Sequence, residues 1–215
     1  MGLVATVTRV TEGRGRHVPG VAGLLLTGGA SRRMGVDKAL LEVDGVPLAQ
    51  RTAKVLGAVV APALEVGPGC TTLPAVEEAP AGEGPLAAAA AGFRALAERG
   101  HVGPVIVVAT DLPRLSVAVV QALASHPSAG SVVPLVAGRP QWLAARWSPW
   151  AVGRAPALVR QGERRMQALA DDVDWLDGSE WAADLIDVDT PADLRDAGLL
   201  PVVGGNGGNG GNHDG

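Results

Sequence analysis

Apolar residues fall in short unbroken runs, separated by stretches of helical periodicity. VAGLLLT (21–27) and PVIVVAT (104–110) are continuous apolar runs, the pattern of strands buried on both faces. ALEVG (63–67) is a shorter strand that stops at Gly67-Pro68. SVVPLV (131–136) and QWLAARW (141–147) read as two more, and DLIDVD (184–189) as a last short one. LLEVDGVPL (40–48) carries an Asp44-Gly45 turn. Between the strands, PLAQRTAKVLGAV predicts a helix with Pro47 near its start. The Ala-rich GPLAAAAAGFRALAERG (84–100) predicts another, with Gly100 as its C-cap. Further helices are predicted over about 116–125 and roughly 148–170. A terminal one, TPADLRDAG, opens at Thr190-Pro191. Apolar strands alternating with helices predict an α/β fold in three layers, a mostly parallel sheet flanked by helices.

The pattern fades at both ends. Residues 1–20 are read as a flexible leader, 21–200 as a single domain and 201–215 as a disordered Gly/Asn tail. The leader's apolar run is too short for a signal peptide, and no A-x-A-like site follows it. Met1-Gly2 with Thr6 matches a myristoylation pattern; a ragged or translated-upstream leader is the plainer reading. In the tail, Gly205, Gly207 and Gly210 satisfy G-x-G-x-x-G. No strand precedes them and no helix follows, so no nucleotide fingerprint is read there.

Composition narrows the class. With no Tyr and a single Phe among 215 residues, the core must be built mostly of Ala, Val and Leu. The five tryptophans, Trp142 and Trp147 above all, are expected to fill the core or an interface. A net charge of −4 without a basic stripe argues against a nucleic-acid partner, where phosphate contacts dominate affinity. No run of apolar residues is long enough for a membrane span. The lone Cys70 excludes an intrachain disulfide framework and a Cys-rich zinc site, which fits a cytoplasmic location.

In an open α/β sheet, ligands bind beyond the carboxyl ends of the strands. Beyond the first strand the chain reads Leu26-Thr27-Gly28-Gly29-Ala30-Ser31-Arg32-Arg33-Met34-Gly35-Val36-Asp37-Lys38. The glycines permit tight backbone and close ligand approach, and free N–H groups in such a loop form an anion nest. Arg32, Arg33 and Lys38 place three positive charges within seven residues of an acidic protein. That combination suits a polyphosphate. A plain surface turn with solvated arginines fits the spacing as well. The loop matches neither the P-loop nor the Rossmann pattern.

Acids stand at other strand ends. Asp111 follows VIVVAT and is placed either to hold Mg²⁺ beside substrate phosphates or to cap the next turn. Asp187 and Asp189 end the last predicted strand, where an N-cap by Asp189 or Thr190 is the competing role. Glu77, Glu78 and Glu83 flank the Gly82–Gly84 turn; the dipole at the following helix N-terminus favours an anion, and these side chains partly oppose it. Arg160, Arg164 and Arg165 read as a solvated face or as a grip on an anionic substrate.

LTGGASRRMGVDKALL resembles the signature of nucleotidyltransferases that transfer a nucleoside monophosphate, and most closely that of the molybdenum cofactor guanylyltransferases. The similarity runs over roughly residues 21–198. It takes in GEGPLAAAAAGF, VVATDLPRL and DVDTPADL. The resemblance implies a Rossmann-like nucleotidyltransferase fold. It also implies Mg²⁺-dependent transfer of GMP from GTP to the phosphate of molybdopterin, with release of pyrophosphate. By matching motif, Leu26, Thr27 and Gly28 contact the guanosine part. Gly29 to Gly35, including Ser31 and Arg33, together with Lys38 cradle the triphosphate. Asp111 binds Mg²⁺ and the nucleotide, and Lys38, Arg33 and Asp111 carry the catalysis. The implied partners are these small molecules and proteins of molybdenum cofactor biosynthesis or molybdoenzymes.

The chain departs from the family pattern at three places. Glu78, taken by the resemblance as a further nucleotide contact, stands where the family commonly has Asp; Gly67-Pro68 stand where an Asn is frequent, and Asp187-Val188-Asp189-Thr190-Pro191 where N-x-N-T-P is frequent. A cytidylyltransferase, a transferase for another phosphorylated acceptor, and a non-catalytic nucleotide-binding module of the same fold remain alternative readings.

Overall fold

The computed structural model describes residues 17–28, 42–43, 45–78 and 82–188. In chain order the first elements are β1 (Ala22–Leu26), the hairpin β2 (Glu42–Val43) and β3 (Val46–Pro47), α1 (Leu48–Gly57), β4 (Ala63–Val66) and β5 (Ala75–Val76). Next come α2 (Pro85–Glu98), β6 (Val105–Ala109), α3 (Val117–Ser125), β7 (Ser131–Val136) and β8 (Arg139–Pro140). The last described elements are β9 (Ala144–Trp147), α4 (Pro149–Arg160) and β10 (Val173–Asp177), with a short 3₁₀ turn over Met166–Leu169 before β10.

One sheet organises the domain. Its strands lie in the order β10-β7-β9-β6-β1-β4-β5, with β8 pairing on β7 outside this path. The pairs β1–β4, β1–β6, β4–β5 and β7–β10 are parallel. Strand β9 runs antiparallel between β6 and β7. Alternation along the strands sends side chains to opposite faces. Leu24, Leu26, Leu64, Val66 and Val107 pack with α2 and α4 on one side, around the fully buried Trp147. Leu25, Ile106 and Val108 pack with α1 and α3 on the other. This is the expected three-layer α/β fold.

Local chemistry explains the helix ends. Ser116 caps α3 by accepting the Val119 N–H, and Ser148 caps α4 by accepting the Ala151 N–H. Helix α2 closes with the Gly100 N–H donating to Ala97 and the His101 N–H donating to Leu96. Gly100 takes φ +83°, which glycine adopts without strain.

Three expectations change. The helix expected over 148–170 ends at Arg160, because Gly162 turns the chain at φ +90°. There the Gly162 N–H donates to Val159 and the Glu163 N–H to Leu158, closing the last turn. Residues 184–188 are not a strand. Leu185 and Val188 are buried while Ile186 is exposed, a spacing of three that turns toward the core instead of alternating. Among the described residues the last strand is instead β10, whose acidic VDWLD sequence hides it at the edge of the sheet. Asp189 and the helix expected after Thr190 lie outside the described residues.

Tight packing between helix and sheet supplies a test. A Cβ on Gly92 of α2 would lie 2.6 Å from Leu24 Cδ1 and 2.8 Å from Val66 Cγ2. Alanine gains about 1 kcal/mol of helix propensity but overpacks a full core. Gly92→Ala is expected to destabilise the domain by about 1–2 kcal/mol net, read as a lower urea midpoint with unchanged slope.

Candidate active site

From β1 the chain steps to β4 and β5 on one side, then crosses to β6 on the other. The carboxyl ends of β1 and β6 therefore flank the point where strand order reverses, the position at which open α/β sheets form a ligand crevice. Leu26 pairs with Ala109 across this point. Two residues beyond each lie Gly28, exposed, and Asp111, half-buried. The structure thus places Leu26, Thr27 and Gly28 at the same edge of the sheet as Asp111. Gly29, Ser31, Arg33, Gly35 and Lys38 lie outside the described residues.

The end of β1 is pinned from beneath. Thr27 N–H and Gly28 N–H both donate to the Val66 carbonyl, at 3.0 and 3.3 Å. The Thr27 hydroxyl donates to Glu65 Oε1 at 2.6 Å. Glu65 is completely buried in β4, yet its carboxylate is surrounded by donors. Oε1 also accepts the N–H groups of Gly69 and Cys70, each at 2.9 Å, and the Cys70 thiol at 3.4 Å. Oε2 accepts the N–H and hydroxyl of Thr71, at 2.9 and 2.7 Å. Burial alone would raise this carboxyl. The bonds from the Thr27 hydroxyl, the Cys70 N–H and the Thr71 and Cys70 side chains outweigh burial and lower it to about 2. The reverse holds for Cys70. Burial first, then the hydrogen bond to Glu65 and its charge, raise the thiol to about 11.

Gly67, immediately after β4, lies against the same strand end. A Cβ there would stand 2.1 Å from Thr27 Oγ1 and 2.8 Å from the Gly28 nitrogen. The bare glycine is thus a condition of the close approach between the two strand ends. It also explains why no side chain is tolerated where the resemblance leads one to expect Asn.

Other candidates take local roles. Glu78 accepts the Gly82 N–H on Oε2 at 3.1 Å and the Glu83 N–H on Oε1 at 3.2 Å, closing the turn before α2. Glu83 pairs with Arg164 at 2.6 Å, and the Arg164 carbonyl accepts the Leu86 N–H. The turn before α2 is therefore joined to the segment after α4. Arg160 and Arg165 are exposed, whereas Arg164 belongs to this junction. The Val188 N–H donates to the Asp111 carbonyl at 2.9 Å, which draws the 184–188 segment and the exposed Asp187 alongside the end of β6. Trp147 fills the core, and Trp142 stacks on it with ring centroids 6.3 Å apart, as expected of both.

Glu65 and Thr71 were not singled out from the sequence, and Cys70 only for its lone thiol. A signal was present: a carboxylate inside an apolar strand must be satisfied when buried, and the small polar run GPGCTT (67–72) follows it directly.

Residues 23–174 match the family of MobA-like NTP transferase domains. The chain is 39% identical over 166 residues to a Mycobacterium tuberculosis H37Rv protein named probable molybdenum cofactor guanylyltransferase, covering 73% of this chain and 82% of that protein. It is 36% identical over 194 residues to the like-named protein of Mycobacterium marinum, covering 85% and 95%. Its fold matches the solved structure of molybdopterin-guanine dinucleotide biosynthesis protein A from Archaeoglobus fulgidus, with a TM-score of 0.67, 19% identity and coverage of 82% and 96%. A 2-C-methyl-D-erythritol 4-phosphate cytidylyltransferase from Thermus thermophilus shares the fold with a TM-score of 0.57 at 19% identity, covering 81% of this chain and 95% of that one. The architecture is that of nucleotidyltransferases. Among the described residues no helix is long and apolar enough to cross a membrane.

The buried carboxylate has a pH signature. Its folded value of about 2 lies below the ordinary 4.5, so its contribution is complete above about pH 4.5 and is lost as pH falls through about 2. Wild type is expected to exceed Glu65→Gln by about 2–3 kcal/mol near neutral pH. That difference should shrink steadily between about pH 4.5 and 2 when both are followed by chemical denaturation. A pH-independent difference would remove the ionised carboxylate from this role.

Proposed function

The chain belongs to the MobA-like NTP transferases, and on that footing we propose that it transfers GMP from GTP to the phosphate of molybdopterin, releasing pyrophosphate. One observation carries the reading to this site: β1 and β6 lie side by side at the reversal of strand order, with Leu26 opposite Ala109. Gly28 and Asp111 therefore open onto one crevice edge. The names borne by the relatives support the choice of nucleotide and acceptor.

The donor set around β6 suits Mg²⁺. Among the described residues no cluster of three or more His, Cys, Asp or Glu is arranged to hold a metal ion. Magnesium is commonly held by one or two carboxylates, with substrate phosphates and water completing its shell. Asp111 would hold it, with Asp187 on the adjoining segment. When bound, the ion supplies charge neutralisation on the triphosphate.

The chain's own groups orient and neutralise. Leu26, Thr27 and Gly28 contact the guanosine part, and the loop from Gly29 through Ser31 and Arg33 to Gly35 wraps the triphosphate. Arg33 and Lys38 balance its charge. An oxygen of the acceptor phosphate attacks the α-phosphorus in line, forming a P–O–P bond as the bond to the β-phosphate oxygen breaks. Pyrophosphate carries away the electron pair. No side chain has to act as a nucleophile, so rate comes from positioning and charge neutralisation. The thiol of Cys70, held protonated, fits this economy. Both substrates are small molecules. The protein partners in this reading are those that make or take up the cofactor, and the reaction belongs to the cytoplasm.

A screen of pyrophosphate release with each of the four nucleoside triphosphates, with and without Mg²⁺ and molybdopterin, tests the assignment. GTP is expected to support turnover and CTP is not; preference for CTP would favour the cytidylyltransferase reading. Asp111→Ala is expected to lower Mg²⁺-dependent turnover by on the order of 10²-fold or more while circular dichroism stays native. Lys38→Ala is expected to weaken GTP binding by about tenfold. Normal pyrophosphate release by the Asp111 variant would take that residue out of the site.

A further inference from the structure

The proposed chemistry makes no use of Glu65, the carboxylate with the densest set of hydrogen bonds among the described residues. Its partners fall into two groups. Gly69, Cys70 and Thr71 belong to the loop that follows β4. Thr27 directly follows another strand, β1, 38 residues away in sequence, and is buried whereas Gly28 is exposed. A carboxylate needed only to fold its own loop would have no reason to take that second partner.

The loop after β4 is itself anchored. The Thr72 N–H donates to Gln50 Oε1 at 3.0 Å, and Gln50 Nε2 donates to Thr72 Oγ1 at 3.1 Å, which ties the loop to α1. Glu65 therefore joins a braced loop to the end of β1. Thr27 N–H and Gly28 N–H are held on the Val66 carbonyl, and the Thr27 hydroxyl occupies the room that a side chain on Gly67 would fill. Backbone direction at Gly28 is thereby set by three contacts, of which the hydroxyl–carboxylate bond is the short, charge-assisted one.

We propose that Glu65 is a positioning residue for nucleoside triphosphate binding, acting through the Thr27 hydroxyl to fix the strand end from which the glycine-rich loop departs. This rests on the reading that the loop beginning at Gly28 holds the nucleotide. A strand end fixed before the ligand arrives spares the cost of fixing Thr27 and Gly28 on binding. It affects nucleotide affinity before it affects the chemical step.

The test compares two hydroxyls on the same carboxylate, using the full chain with Mg²⁺ and GTP. Thr27→Val and Thr71→Val each remove one hydroxyl that donates to Glu65, and both are expected to lower the melting temperature by similar amounts. Thr27→Val is expected to raise the Kd and KM for GTP about tenfold with little change in kcat, while Thr71→Val stays within about twofold of wild type. Thr27→Ser, which keeps the hydroxyl, is expected to restore wild-type affinity. Glu65→Gln is expected to weaken GTP about as much as Thr27→Val, and the double variant no further than either, because both act along one path. Equal losses of affinity in Thr27→Val and Thr71→Val would overturn the proposal, as would fully additive effects of Thr27→Val and Glu65→Gln. If Glu65→Gln does not fold, Glu65→Asp takes its place in the cycle with Thr27→Val, and full additivity there overturns the proposal. A wild-type chain that binds none of the four nucleoside triphosphates would instead overturn the reading of the loop, and the proposal with it.

Discussion

A carboxylate without access to water must find donors for both oxygens, or its burial costs more than a domain of this size can carry. Glu65 meets that requirement by drawing in backbone and side chains from two places, the loop after β4 and the end of β1. The geometry of the crevice edge follows from this. Thr27 must present its hydroxyl downward, Gly67 must lack a side chain, and residues 69–71 must fold back over the strand that precedes them. Three features that look unrelated along the chain are the surroundings of one buried charge.

The rest of the site depends on strand order. Parallel strands joined by helical crossovers leave a cleft only where the winding reverses, and here the reversal lies between β1 and β6. The antiparallel strand β9 closes the far side of β6 and carries Trp147 into the core behind it. The segment after β10 then returns to the same edge, where Val188 bonds the Asp111 carbonyl. Places where the chain departs from the family pattern have local explanations. Gly67 allows two strand ends to touch, and Glu78 closes the turn before α2.

Much of the architecture was legible because apolar runs are unambiguous when both faces of a strand are buried. Strands β1 and β6, the Ala-rich α2 and the capped α3 follow from pattern and end signals alone. Each miss has its own local cause. Strand β5 is two residues long, too short to carry a period. Strand β10 lies at the sheet edge, where polar residues are tolerated, so VDWLD shows no apolar run. DLIDVD looked like a strand because Leu185 and Val188 are apolar, but their spacing of three belongs to a turn. The helix expected to reach residue 170 stops at Gly162, whose positive φ outweighs the helical periodicity beyond it.

By itself the sequence determined the class of fold, the nucleotidyltransferase signature and the acid at the end of β6, since these rest on short-range pattern and on residue types adjacent in the chain. Only the tertiary structure decided that Glu65 bonds the end of β1 through Thr27, that Glu78 accepts two N–H groups of a turn, and that Arg164 is paired with Glu83. The physical reason is that a hydrogen bond between residues far apart in sequence leaves no mark in local pattern. A buried charge announces only that it needs partners, and the fold alone says which ones it has.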